Sequence, residues 1–242
     1  MKMLNLLFHR ETRSPLLAMM FASIIGVALV IARIIVTRNI NYGFLIWNLF
    51  LAWLPMLFAL LACGKFRAGE QRNWRFGALA GAWLLFFPNA PYIFTDFIHL
   101  IYGQYRHFWV DLTLILMCAL TGMVLGFVSL YLMQSVVRRM YGQIASWFFI
   151  AGVAGLSGFG IYLGRFVRLN SWDLIARPMK LYNGVSNWAA HPLANSNTFS
   201  FPLLFATFIF LAYIMLYTLT HLPKPVMARG GETENLVSPR VA

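Results

Sequence analysis

Charge is scarce in this chain. Asp, Glu, Lys and Arg make up 11% of its 242 residues, and seven residues in all are acidic. A soluble domain carries about 25% charged residues. Too little polar surface is present to cover a water-soluble globule, and with 60% hydrophobic residues the natural solvent is a lipid bilayer. Cysteine is nearly absent. Cys63 and Cys118 both sit inside apolar runs, which excludes a disulfide framework and reads as two buried small hydrophobes. The N-terminal apolar run is too long for a signal h-region and lacks a small-x-small cleavage site, so it is expected to stay as a first span. No contiguous basic face is visible, so the net charge of +12 does not point to nucleic acid. The positive-inside rule accounts for most of it. No internal repeat is visible either, which weighs against the inverted-repeat transporter folds.

What is present is a series of apolar runs, each near the roughly 20 residues that a span requires. They are Pro15 to Val36, Phe44 to Cys63, a run starting at Trp74, Trp109 to Met133, Ile144 to Leu163 and Phe199 to His221. The expected fold is all-α: a polytopic bundle of about six spans over residues 1–221, followed by a disordered tail over 222–242. Arg33, near the end of the first run, is expected to snorkel to the interface. Pro55 is expected to kink the second span, and Pro202 to sit in the first turn of the sixth. Trp47, Trp74, Trp109 and Trp147 sit at span ends and read as an aromatic belt. The pairs Gly77/Gly81, Gly122/Gly126 and Gly160/Gly164 have the spacing that lets membrane helices approach closely, and Ala151 to Gly164 reads as a tightly packed central helix.

The third run is unlike the others. It reaches Pro88 after about 14 residues, or ~21 Å of helix, short of a ~30 Å hydrocarbon core. The stretch FFPNAPYIFTDFIHL, Phe86 to Leu100, is expected to break the helix at Pro88 and Pro91, with Asn89 capping the new turn. Beyond the break, Asp96 and His99 are three residues apart and so share a helix face. An ionisable pair beside a broken helix in an apolar chain is a candidate functional site.

Six spans put both termini on one side. Of the 19 Lys and Arg residues, twelve then fall on the side of the termini and seven opposite, which places the termini in the cytoplasm. Four of the seven, Arg165, Arg168, Arg177 and Lys180, lie in one loop after the fifth span. That local excess needs its own reason. On the outer side three polar groups are expected to meet: Asn89, Asp96 and His99; Asp111; and Arg165, Arg168, Asn170, Trp172 and Asp173. Every acid assigned to that side belongs to this set.

FFPNAPYIFTDFIHL, the WVDL at Trp109 to Leu112, TGMVLGFVSLYL at Thr121 to Leu132, and GIYLGRFVRLNSWD at Gly160 to Asp173 resemble a family of membrane proteins, domain of unknown function 1361. The resemblance covers roughly Asn48 to Tyr217. It implies a polytopic bacterial protein of the inner membrane and carries no established activity.

The residues themselves leave several chemistries open. Asp96, His99 and Asp173 could do acid–base work. Asp96 and His99 could also be half of a metal site, with a third ligand from Asp111, Asp173, His107 or His191. Arg165 and Arg168 could grip a phosphate or carboxylate, with Asn89, Asp111, Asn170 and Trp172 around the substrate. Against each stands a purely structural reading: an Asp–His pair that pins the broken helix, and arginines that pair with Asp96, Asp111 or Asp173. Ser171 has no base beside it in the sequence and does not read as a nucleophile. Three functions follow: an enzyme acting on a lipid-linked or exported substrate, a partner-binding or structural membrane protein, and a small-solute transporter. The near absence of polar residues in the inner halves of spans two, four and six weighs against transport. No cofactor is named by these residues. The partners they imply are the bilayer and an anionic or lipid-linked ligand.

Overall fold

A computed structural model of the chain describes residues 10–38, 40–70, 73–101, 107–190 and 196–220. The expected tail at 222–242, His191 and Arg106 lie outside the described residues. Among the described residues every regular element is helical. In order these are α1 (Arg10–Thr37), a 3-10 turn at Ile40–Tyr42, α2 (Phe44–Arg67) and α3 (Trp74–Phe86). Next come α4 (Asn89–Tyr92), a 3-10 stretch at Ile93–Phe97 and α5 (Ile98–Ile101). The long α6 (Phe108–Tyr162) continues into a π turn at Leu163–Val167, followed by α7 (Asp173–Ala176), α8 (Pro178–Ala190) and α9 (Ser196–Thr220).

Among the described residues five stretches are long and apolar enough to cross a membrane: Leu16–Thr37, Ile40–Arg67, Trp74–Leu100, Phe108–Val167 and Phe199–Thr220. The fourth has 60 residues, which as a straight helix would be about 90 Å long. It is folded in two at Gly142, where φ is 89° and ψ is 177°, a conformation open to glycine and strained for any other residue. The fold-back is visible in what meets Trp83. Its indole Nε1 donates to Ser129 Oγ at 3.2 Å, while its ring stacks on Phe149 at 5.8 Å. Positions 129 and 149 would be about 30 Å apart on an unbroken helix. The two arms of α6 are therefore antiparallel, and the bundle has six apolar arms.

Two apolar cores hold the arms together. One gathers Trp83 and Phe87 from the third arm, Phe127 and Leu130 before the fold-back, Ile150 and Ile161 after it, and Ile209 and Tyr213 from α9. The other packs Val30 of α1 and Leu45, Ala52 and Met56 of α2 against Ala90, Ile93 and Ile115. Cys63 and Cys118 are buried and unbridged. Two of the expected glycine contacts are present. A methyl group on Gly126 would lie 2.8 Å from Ala90 Cβ, and one on Gly160 would lie 2.9 Å from Pro88 Cγ. Gly77 and Gly81 face open space, as do Gly152 and Gly155, so the first pair is not a packing motif and the close glycine contacts of the fifth arm start at Gly158. Pro202 lies inside α9 rather than in its first turn, because that helix begins at Ser196.

The third arm is interrupted where the prolines stand, in a milder form than a full break. The regular ladder stops at Phe86 and the chain continues as short turns, yet Phe87, Pro88, Tyr92 and Ile93 all keep right-handed helical dihedrals. Proline removes the N–H that would bond one turn back, and Ala90 N donates to Phe87 O rather than to Phe86 O. Asn89 does not cap the new turn. Its Nδ2 donates to Phe86 O at 2.9 Å and to Ser171 Oγ at 3.0 Å, and Ser171 Oγ donates in turn to Leu85 O at 3.1 Å. Carbonyls at the end of α3 are thus satisfied by side chains, one of them from the loop after the fifth arm.

Candidate functional site

Asp96 is where three arms meet. It is 2% exposed and sits in the 3-10 stretch that follows the prolines. Asn48 of α2 donates to its Oδ2 at 2.8 Å. Arg165, in the π turn at the end of the fifth arm, donates to its Oδ1 at 3.3 Å. A buried carboxylate needs charge and hydrogen-bond partners together, and here they come from two separate arms.

His99 lies on the same face. Its Nδ1 is 3.0 Å from the Asp96 carbonyl oxygen and 3.9 Å from Asp96 Oδ1. A carbonyl can only accept, so this bond fixes the proton on Nδ1 and leaves Nε2 as the basic nitrogen. The ring lies against Phe44 with centroids 4.6 Å apart, and 43% of the side chain is exposed.

Between these groups lies a cavity of about 440 Å³. Its polar lining includes Asn48, Asn89, Asp96, His99, Arg165 and Asn170, and its apolar walls include Leu51, Leu85, Leu163, Leu169 and Leu181. The structure thus brings together Asn89, Asp96, His99, Arg165 and Asn170 out of the expected set. It does not bring in the remaining four. Asp111 is held by Arg33, with Nε–Oδ1 at 2.7 Å and Nη2–Oδ2 at 3.2 Å. Arg33 therefore does not snorkel: its side chain is 12% exposed, and its guanidinium also lies 5.6 Å from the Tyr42 ring centre. Asp173, 5% exposed, accepts the Asn170 N–H at 2.8 Å and shapes the loop instead of facing the cavity. Trp172 stays at the edge, its ring 6.1 Å from that of Trp47.

Arg165 lies within the π turn and Arg168 just past its end, and the wider winding undoes the shared face expected of residues three apart. Arg168 takes a left-handed conformation, φ 56°, at the end of the helix, where Leu169 N closes onto Leu163 O at 3.1 Å. Its side chain is exposed and its carbonyl accepts from Lys180 Nζ at 2.9 Å.

Sequence reasoning missed Asn48, Trp47, Phe44 and Tyr92, all of which line the cavity. Asn48 had a readable signal, being a polar residue in the run FLIWNLFLAW. Ser171 lines the cavity too, but its recorded partners are Asn89 and Leu85, with no base among them. Among the described residues no three of His, Cys, Asp and Glu converge as metal ligands.

Apolar arms of this length define a polytopic helical membrane protein. The chain belongs to the family described as protein of unknown function (DUF1361), whose model matches residues 47–215. No curated protein and no solved structure matches it.

Proposed function

We propose that the cavity is the active site of a membrane enzyme that acts on a lipid-linked or exported substrate, with His99 as the acid–base group. One observation carries the reading. A cavity of about 440 Å³, within the usual range of roughly 300–1,000 Å³ for small-molecule sites, is lined by an imidazole whose tautomer is set by the Asp96 carbonyl. Asp96 is engaged by Asn48 and Arg165 and serves to position Arg165 and His99. Arg165 spends one N–H on Asp96 and keeps the others of its five donors for a substrate. Asn89 and Ser171 hold the end of α3, and so the rim, in place. Asp111 belongs to a separate support that ties α1 to the fourth arm. We place both termini in the cytoplasm, from the Lys and Arg distribution, so that the cavity opens at the outer face of the inner membrane.

The test compares lipid and exported-metabolite profiles of cells carrying wild-type protein, a deletion, and His99→Gln. The expected result is that His99→Gln accumulates the same species as the deletion while the protein is made and inserted normally. A His99→Gln strain with the wild-type profile would defeat the enzyme reading. A structural reading, in which the polar groups only hold the bundle, has the Arg33–Asp111 pair in its favour. It requires instead that His99→Gln lower the amount of folded protein.

A further inference from the structure

The segment 165–180 carries Arg165, Arg168, Arg177 and Lys180 against one acid, Asp173. That acid's carboxylate accepts the Asn170 N–H. Among the described residues, Arg165 is ion-paired with Asp96, whereas Arg168, Arg177 and Lys180 form no ion pair with a carboxylate. Arg168 and Arg177 are exposed, and Lys180 bonds the Arg168 carbonyl. Their neighbours in sequence, Leu169, Asn170 and Leu181, line the cavity. The Arg and Lys side chains form a basic collar on the segment that supplies part of the cavity wall. Positive charge at a membrane surface attracts anionic head groups.

On the α2 side the cavity is bordered by aromatic residues. Trp47 lines the cavity and is 53% exposed. It sits 5.5 Å from Phe50, itself 52% exposed, and edge-on to Trp172. This exposed aromatic face of α2 flanks the cavity beside the Ser171–Trp172 turn.

We propose that the cavity takes the phosphate head of an anionic amphiphile, which enters sideways from the bilayer between α2 and the Ser171–Trp172 turn. The head lies against Arg165 and the collar, and the acyl or isoprenoid chain leaves past Trp47 and Trp172. This rests on the reading of the cavity as a substrate site and names the class of substrate. Arg165 supplies planar donors suited to a phosphate, and the leucine walls suit the carbon atoms next to it. A volume of about 440 Å³ holds a head group and leaves long chains outside, which is what entry from the side provides for. The collar also accounts for the local excess of Lys and Arg on a side where positive charge is otherwise sparse.

The experiment titrates the full-length protein in neutral detergent with phosphatidic acid, with diacylglycerol of the same chains, and with inorganic phosphate, counting bound molecules by native mass spectrometry. Phosphatidic acid is expected to bind about tenfold tighter than diacylglycerol, and Arg165→Gln to remove that preference. Should Arg165→Gln fail to fold, Arg165→Gln with Asp96→Asn removes both charges and is expected to show the same loss. Arg168→Gln with Lys180→Gln is expected to weaken phosphatidic acid binding about threefold or more and to flatten its salt dependence. Equal binding of the phosphate-bearing and neutral lipids overturns the proposal. So does a preference that survives in the folded Arg165 variants. Displacement of phosphatidic acid by inorganic phosphate at equal concentration overturns the amphiphile and leaves a soluble anion. His99→Gln is expected to keep the preference. A retained preference in a His99→Gln protein with no metabolic consequence supports this inference while the acid–base reading fails.

Discussion

Arg165 Nη1 meets Asp96 Oδ1 at 3.3 Å across 69 residues of sequence, joining the end of the fifth arm to the interrupted third. Because both groups are largely buried, their pairing is non-additive. Arg165→Ala strands a carboxylate that is 2% exposed and is expected to cost about 3–5 kcal/mol. Adding Asp96→Ala should restore part of that loss, through a coupling of about 0.5–3 kcal/mol. Denaturant unfolding in detergent measures all four corners of the cycle, and simple additivity would refute a paired site.

The Arg33–Asp111 bond anchors α1, all of which lies ahead of the family-matched region. Asp111→Asn leaves a guanidinium that is 12% exposed without its charge partner. It is expected to destabilise the protein by a few kcal/mol, within the range of about 3–5 for a broken buried pair. The cavity is built without either residue, so phosphatidic acid binding by the folded fraction should be unchanged. A binding loss equal to that of Arg165→Gln would place Asp111 in the site after all.

Close packing predicts a contrast between glycines. Gly126→Leu drives a side chain into Ala90 and is expected to cost about 1–3 kcal/mol. Gly77→Leu projects into open space and should be close to neutral. Thermal melts of the two variants in one detergent check the order, and equal losses would contradict the packing.

Arg168 holds a left-handed backbone conformation that costs a non-glycine residue roughly 1–2 kcal/mol. Arg168→Gly should therefore raise stability by up to about 1 kcal/mol even as it removes a collar charge. A stability gain paired with weaker phosphatidic acid binding is the expected signature. A loss of stability would show that the side chain holds the loop together.

At the opposite end of the bundle, Lys65 Nζ bonds Glu70 Oε2 at 2.7 Å and holds the Glu70 carboxyl below its ordinary value of 4.5. With the folded value depressed, the contribution is complete above about pH 4.5 and fades as pH falls through the lowered value. The pair is exposed, so the effect is small. Glu70→Gln should flatten the stability profile in that acid window and lower stability slightly at neutral pH, where the pair's contribution is complete. An unchanged profile would remove the pair from the account.

The all-α membrane class was legible in composition and run length, because a bilayer demands long apolar helices whatever the sequence detail. The interruption at Pro88 was legible as well, since proline lacks the N–H a helix needs there. Its mildness was not: the use of Asn89 and Ser171 to satisfy the carbonyls of Leu85 and Phe86 depends on a loop 82 residues away. The shared face of Asp96 and His99 followed from local spacing. The i,i+3 rule failed for Arg165 and Arg168, because a π turn intervenes and nothing in LGRFV announces it.

By itself, the sequence determined which residues were scarce enough to matter: few acids, set in apolar surroundings, must each find a partner. Which partner each found was decided by tertiary structure. Asp96 took Arg165 and Asn48, Asp111 took Arg33, and Asp173 took a backbone N–H. Charge balance fixes that pairs must form, but it is degenerate among groups at the same depth. The choice among them rests on which arms lie side by side, and that is set by the fold-back at Gly142 and the close contacts of Gly126 and Gly160 with Ala90 and Pro88.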